Sequence, residues 1–322
     1  MSKRILVAML GICGWMAVSP AVFAAPAASA GGCDRACLRQ LLDSYLESVF
    51  RHDPGAAPLA ADHRATENAQ DVKNGDGFWK TMTGYGQIQR RFFDPVNETA
   101  AYYGLMNEGG EADIVSVRIR AADAHSISEA EWTVARNGNG MFDVAGLIKS
   151  PPPADTPLPA AQRQSRFVLI SLANGYFQGL QDHDGSWVPH DPQCRRVENG
   201  IEVTFRPMSR PPGSGAAATP PATATAGAPT AAQEQLSGNC LDNFQMFKHS
   251  IAETEQRRFP VVDEEAGVVM GTTIFRRVAG NPMRRNLLTE YFFARDGRIA
   301  GIWAAMDYLD PSAPMSSGWD NK

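Results

Sequence analysis

Between Asp34 and Arg51 the apolar residues Leu38, Leu41, Leu42, Tyr45, Leu46 and Val49 fall three or four apart, the spacing of an amphipathic helix. His52-Asp53-Pro54-Gly55 stops it, because proline and glycine both oppose continuation. Pro58 to Asn68 leads onward, with Arg64-Ala65-Thr66-Glu67 extended. Asn74-Gly75-Asp76-Gly77 then makes a turn before a short helix carrying Phe78, Trp79 and Met82. From there the apolar period becomes two. Strands are predicted at 86–94, 99–108, 112–121 and 126–135, joined by turns of Pro, Asn and Gly. Helices come first, then an antiparallel meander.

The same plan returns. A second amphipathic helix is predicted at 164–182, a short helix at 241–251, and strands at 255–262, 267–276, 286–295 and 298–308. Tyr45, His52-Asp53, Pro58 and Glu67-Asn68 recur, all at one constant offset, as Tyr176, His183-Asp184, Pro189 and Glu198-Asn199. Arg90-Arg91-Phe92 and Gly104 recur at a second, larger offset as Arg257-Arg258-Phe259 and Gly271. The larger offset is accounted for by a Pro, Ala, Thr and Gly run between Arg206 and Gln235, which has almost nothing to bury and reads as a disordered insertion. The expected organisation is a signal peptide at 1–24, a first domain at 33–149 and a Pro-rich linker at 150–161. A second domain follows at 162–310, interrupted by the insertion at 207–235, and then a flexible tail at 311–322.

Composition changes the picture mainly at the N-terminus. Lys3-Arg4, the apolar run Ile5 to Val18 and Val22-Phe23-Ala24 have the form of a secretory signal, so the chain is expected to be exported, to a periplasm or outside the cell. Removing Lys3 and Arg4 takes the net charge from -5 to -7, with no basic stripe, which disfavours nucleic acid as a partner. No second apolar stretch approaches membrane-spanning length. Four cysteines remain in the mature chain, an even number suited to disulfides in an oxidising compartment. Three pairings are open. Cys194 with Cys240 is favoured because both bracket the insertion, which leaves Cys33 with Cys37.

Amphipathic helices ahead of a curved antiparallel sheet should pack into its concave side. The fold class expected is therefore α+β, with two tandem cone-shaped domains, each with N-terminal helices packed on a curved antiparallel sheet. This order, with Thr66-Glu67-Asn68, resembles the nuclear-transport-factor-2-like fold, also called SnoaL-like or ketosteroid-isomerase-like. A narrower resemblance is to an uncharacterised family of secreted bacterial and fungal proteins built from two such units. It is carried by Cys33-Asp34-Arg35-Ala36-Cys37, by Thr66-Glu67-Asn68 and by Arg258-Phe259-Pro260-Val261-Val262-Asp263-Glu264-Glu265. The resemblance implies the fold and no particular reaction, since that superfamily holds enzymes and binding modules alike. The pattern usually reads Thr-Glu-Asn-Gly. Here the first copy has Ala69 in the last position and the second has Val197 in the first.

In the cone fold this glutamate resembles a residue that points into the pocket. Glu67 is thus the candidate catalytic base, with Asn68 to orient it and Glu131, which shares a strand face with Glu129, as a helper. The alternatives are a capping role for Glu-Asn and a solvent-facing strand edge for the acids. Glu198, Asn199, Tyr102, Trp79 and Arg91 are candidate ligand contacts, against an ordinary core for the aromatics and an intramolecular partner for the arginine. His52 and His183 read as helix caps. No metal-ligand spacing and no cofactor fingerprint is present, so neither a metal nor a cofactor is expected. The expected partner is a small, largely apolar organic molecule. It meets either cofactor-independent acid–base catalysis of the isomerase, dehydratase or lyase type, or a non-catalytic binding or structural module. The two domains are expected to pair with each other, or the chain to form a homodimer. The first copy is the expected working one, because the second lacks the counterparts of Glu129 and Glu131.

Overall fold

The structure, a computed structural model, describes residues 32–205, 238–313 and 316–319. The expected signal peptide and the expected insertion at 207–235 lie outside the described residues. Helix α1 (Arg35–Phe50) starts at Asp34, whose side chain accepts from the Cys37 N–H, and buries Leu38, Leu42, Tyr45 and Val49. A short hairpin, β1 (Leu59–Glu67) and β2 (Gln70–Val72), and the single turn α2 (Phe78–Thr81) follow. Then comes the meander of β3 (Met82–Asp94), β4 (Thr99–Glu108), β5 (Glu111–Ala121) and β6 (Ile127–Ala135). Helix α3 (Val144–Lys149) leads into the linker. The second half repeats the order with α4 (Arg166–Asp182), β7 (His190–Glu198) and β8 (Ile201–Glu202). Its meander is β9 (Ile251–Asp263), β10 (Val268–Arg277), β11 (Asn286–Arg295) and β12 (Arg298–Tyr308). The short helix expected at 241–251 is a 3-10 turn at Phe244–His249. Both favoured disulfides form, Cys33–Cys37 and Cys194–Cys240, each with Cα atoms 5.3 Å apart.

The two expected cones are not there. Each sheet has six strands, in the open order β2-β1-β6-β5-β4-β3 or its counterpart β8-β7-β12-β11-β10-β9, and neither curls or closes into a cone. Neither is wholly antiparallel, since β1 runs parallel to β6 and β7 parallel to β12. The cause is the second face of each sheet. On β4, Ala100, Tyr102 and Met106 face α1, while Ala101, Tyr103 and Leu105 are just as buried on the reverse side. A sheet with two apolar faces needs a cover on both. Each sheet supplies the other's cover, giving four layers in the order helix, sheet, sheet, helix. Phe92, Tyr103, Tyr291, Phe293 and Trp303 fill the central layer between the sheets.

That central interface has the reciprocity of a two-fold dimer. Asp94 accepts from the Val262 N–H at 2.9 Å and from both terminal nitrogens of Arg166 at 2.8 Å. Asp263 accepts from the Phe93 N–H at 2.9 Å and from Arg35 at 2.7 Å. Arg35 and Arg166 occupy equivalent positions of the two repeats, so each half offers the other the same set of groups. The duplication has built an isologous interface inside one chain.

Candidate functional site

Asn68 and Asn199 stand where β1 and β7 end, at φ values of 48° and 44°, a left-handed conformation that asparagine tolerates better than most residues. The Asn68 Oδ1 accepts from the Val134 N–H at 2.8 Å, and its Nδ2 donates to the Val134 carbonyl at 3.0 Å. Asn199 does the same to Met306, at 2.7 and 2.8 Å. Each amide replaces the backbone of a strand residue and extends the parallel ladder one step after the chain has turned away. The repeated asparagine is a backbone clamp.

Glu67 is equally committed. Its Oε2 accepts from the Phe78 N–H at 2.6 Å, and its Oε1 pairs with the Arg136 guanidinium at 2.7 Å. Gly77, at φ 62°, carries no Cβ where one would lie 2.3 Å from that carboxylate. The space beside Glu67 amounts to 10 Å³, room for one water at most. Trp132 closes the rest, donating its Nε1 proton to the Tyr45 hydroxyl at 3.0 Å. Trp79 packs edge-on against Tyr45, and the Tyr102 hydroxyl donates to the Leu105 carbonyl at 3.0 Å, both buried in the first core. Arg91 bonds Asp43 of α1 at 2.7 Å, which is an intramolecular partner. His52 and His183 close α1 and α4, with ring nitrogens on the carbonyls of Trp79 and Ile251.

Glu131 does not meet Glu67. The two lie on opposite faces of the first sheet: Glu67 points inward with Ala65 and Trp132, whereas Glu131 points to the central layer. There it is 2% exposed, between Arg118 at 2.9 Å and Arg258 of the second half at 2.5 Å. Burial pushes its carboxyl upward, but the two guanidinium groups outweigh that and hold it below the usual range. Arg118 also pairs with Glu129, so the acids expected as a proton-transfer group form an ion cluster across the two halves.

The second interior is different: Glu198 was a candidate ligand contact, whereas Arg196 and Glu290 beside it were not anticipated. Where the first half places Trp132 beside Glu67, the second places Ala304 beside Glu198. Arg196, the counterpart of Ala65 in the repeat, enters the vacated space and is 1% exposed. Its Nη1 donates to the Cys240 carbonyl at 3.1 Å and to the Tyr176 hydroxyl at 3.3 Å, and its Nε lies 3.0 Å from the Glu198 carboxylate. Tyr176 in turn donates to Glu290 Oε1 at 3.3 Å. The other carboxyl oxygen of Glu290 is buried without a hydrogen-bond partner. Burial and the nearby Glu198 push this carboxyl up to about 8, against a smaller opposing pull from Arg196. Beside Tyr176 and Glu198, the members of the cluster that reach it, lies a cavity of 90 Å³, lined also by Phe275, Arg277, Met306 and Tyr308 among others. It has the apolar lining and few polar groups of a small-molecule site but lies well below the usual size of about 300–1,000 Å³, so it suits only a ligand of a few heavy atoms.

Residues 162–306 match one family. It is described as "Domain of unknown function (DUF8021)". The span takes in Tyr176, Arg196, Glu198 and Glu290. Among solved structures, an NTF2-like protein of unknown function from Cytophaga hutchinsonii ATCC 33406 is similar at 11% identity. The match covers 30% of this chain and 88% of that one, with a TM-score of 0.24. A protein of unknown function with a cystatin-like fold, from Methylobium petroleophilum PM1, is 12% identical over 40% of this chain and 98% of that one, with a TM-score of 0.28. No curated protein matches. Among the described residues no group of three metal-ligating side chains occurs, and no helix is long and apolar enough to cross a membrane.

A signal for the second site was present in the sequence. Leu288, Glu290, Phe292 and Ala294 alternate along one inward strand face, and Glu290 is its one charged member. A carboxylate in an otherwise apolar register is the residue to ask about.

Proposed function

We propose that the chain is an exported, non-catalytic binding module with one working pocket, in its second half, for a small and largely apolar molecule carrying one hydrogen-bonding group. The observation that carries this reading is a 90 Å³ cavity lined by Tyr176 and Glu198 in the half matched by the family, with the buried Glu290 carboxyl and its unpartnered oxygen behind it, joined to the lining through the Tyr176 hydroxyl. The first interior offers no such space, because Trp132 fills it. The two disulfides fit an oxidising compartment and so support export. The isologous core fits the structural side of the reading: the halves hold each other, and the first serves as the scaffold of the second.

Phenol is a suitable probe, having one ring and one hydroxyl. Titration followed by NMR should give saturable shifts at Tyr176, Phe275 and Met306 in the wild type. Ala304→Trp, which copies the first half's own filling, should abolish them while the disulfides and the first half stay intact. Saturable binding that survives in a folded Ala304→Trp chain overturns the assignment of the pocket. Acid–base catalysis in the same place is the second reading, favoured by a Glu290 carboxyl that still holds its proton at neutral pH. It requires Glu290→Gln to spare probe binding and remove turnover of any substrate found.

A further inference from the structure

A cleft of 630 Å³ runs between the two halves and is lined by Arg64, Arg118, Arg120, Glu129, Arg258 and Trp319, among others. Its end is occupied by the chain itself. The Trp319 Nε1 donates to Thr66 Oγ1 at 2.8 Å, and the guanidinium groups of Arg64 and Arg118 lie over its ring, 4.4 and 4.7 Å from the ring centre. The Ser317 N–H donates to Gln256 of the second half at 2.7 Å, and Gly318 adopts φ 79° beside Thr66. The slot is thus polarised for an indole: two guanidinium groups over its ring and a hydroxyl acceptor at its N–H.

The matching groove of the second half shows what the first lacks. Arg195, Val197 and Gly200 are the counterparts of Arg64, Thr66 and Ala69 in the register of the repeat. That groove is crossed by α3 and the start of the linker: the Asp143 N–H donates to the Asn199 carbonyl at 2.8 Å, and the Trp303 Nε1 donates to the Ser150 carbonyl at 2.9 Å, with a cleft of 590 Å³ left beside Arg195, Gly200 and Glu202. A Cβ on Gly200 would lie 1.8 Å from the Asp143 carbonyl oxygen, which explains why this copy keeps glycine and the other tolerates Ala69. Val197 packs in the central layer, whereas Thr66 offers its hydroxyl to the indole. The two departures from the repeated motif follow from two different covers. Among the described residues the second groove is crossed by α3 and the start of the linker and the first by residues 316–319, with clefts of 590 and 630 Å³ open beside these covers.

We propose that the first groove is a peptide-binding site that reads a tryptophan side chain, held at rest by residues 316–319 and opened when a partner peptide replaces them. The partner peptide carries an acidic residue next to its tryptophan. The half-exposed Arg120, whose Glu129 contact is a long 3.9 Å, is the group that meets it. In this chain Asp320 follows Trp319 in the same way.

The test uses the full chain and the synthetic peptide Ser-Ser-Gly-Trp-Asp as probe, with binding read by calorimetry. Trp319→Ala vacates the slot and should bind the probe saturably, at least tenfold more tightly than the wild type does. The same peptide with alanine in place of its tryptophan should bind at least tenfold more weakly. Adding Thr66→Val, the residue the second half already carries, or Arg64→Ala to the Trp319→Ala chain should reduce binding several-fold without lowering its melting temperature appreciably. No binding to a folded Trp319→Ala chain overturns the proposal. So does equal affinity for wild type and variant, or indifference to the peptide's tryptophan.

Discussion

Replacing Glu290 with glutamine removes one titrating group while keeping the Tyr176 hydrogen bond, since the amide oxygen can accept where Oε1 does at 3.3 Å. The carboxyl ordinarily loses its proton near 4.5 and in the folded chain only near 8. Between those values the native state holds a proton that the unfolded state has released. Stability tied to this group is therefore fully present below about 4.5 and is lost as the pH rises through about 8. At about 1.4 kcal/mol per pH unit the loss sums to roughly 5 kcal/mol. That is a large share of the 5–15 kcal/mol typical of a folded domain, on the order of a third or more. Urea unfolding of wild type and Glu290→Gln at steps from pH 4.5 to 9 measures it. The variant should gain on the wild type steadily with pH and lead by several kcal/mol at the top of the range. Asp113, whose carboxyl burial pushes up to about 7 with Glu108 adding to the effect, adds a slope of the same sign. It does so in both chains and drops out of the difference. A stability difference that stays flat with pH would refute the reasoning, because it would mean that Glu290 is ionised in the folded chain or exposed to water.

Glu131→Gln leaves Arg258 without a charged partner and Arg118 with Glu129 alone, inside a layer where Glu131 is 2% exposed; it should cost about 3–5 kcal/mol, and a melting temperature within a degree or two of wild type would show the cluster to be solvated. Asn68→Ala and Asn199→Ala each remove two hydrogen bonds to strand backbone and should each cost about 2–3 kcal/mol by chemical denaturation. A loss below about 0.5 kcal/mol would mean that water replaces the clamp.

The strands at 99–108, 286–295 and 298–308 were legible to the residue, and the disulfides were legible from the duplication and the compartment. The histidines were readable as caps because Pro54 and Gly185 follow so closely. Glu67 and Asn68 were visible as a repeated pair, but a sequence does not say whether a carboxylate faces a pocket or an N–H. Arg136 and the Phe78 N–H, which hold Glu67, lie just past the far end of β6 and on α2, and nothing in the local pattern links them.

What the sequence determined by itself was local and internal: which residues share a helix stripe or a strand face, and that the chain repeats. Periodicity and self-similarity are properties of neighbouring positions and need no partner to be read. What only the tertiary structure decided was what lies against each face. The reverse of each sheet proved apolar and found the other sheet, so the sheets stayed open instead of forming cones. Glu131 found Arg258, far along the chain in the other half, while Ala304 in place of Trp132 left space for Arg196 and Glu290. Those outcomes depend on which surfaces are brought together in three dimensions, and a period of two is the same whether a face meets a helix, a sheet or a cavity.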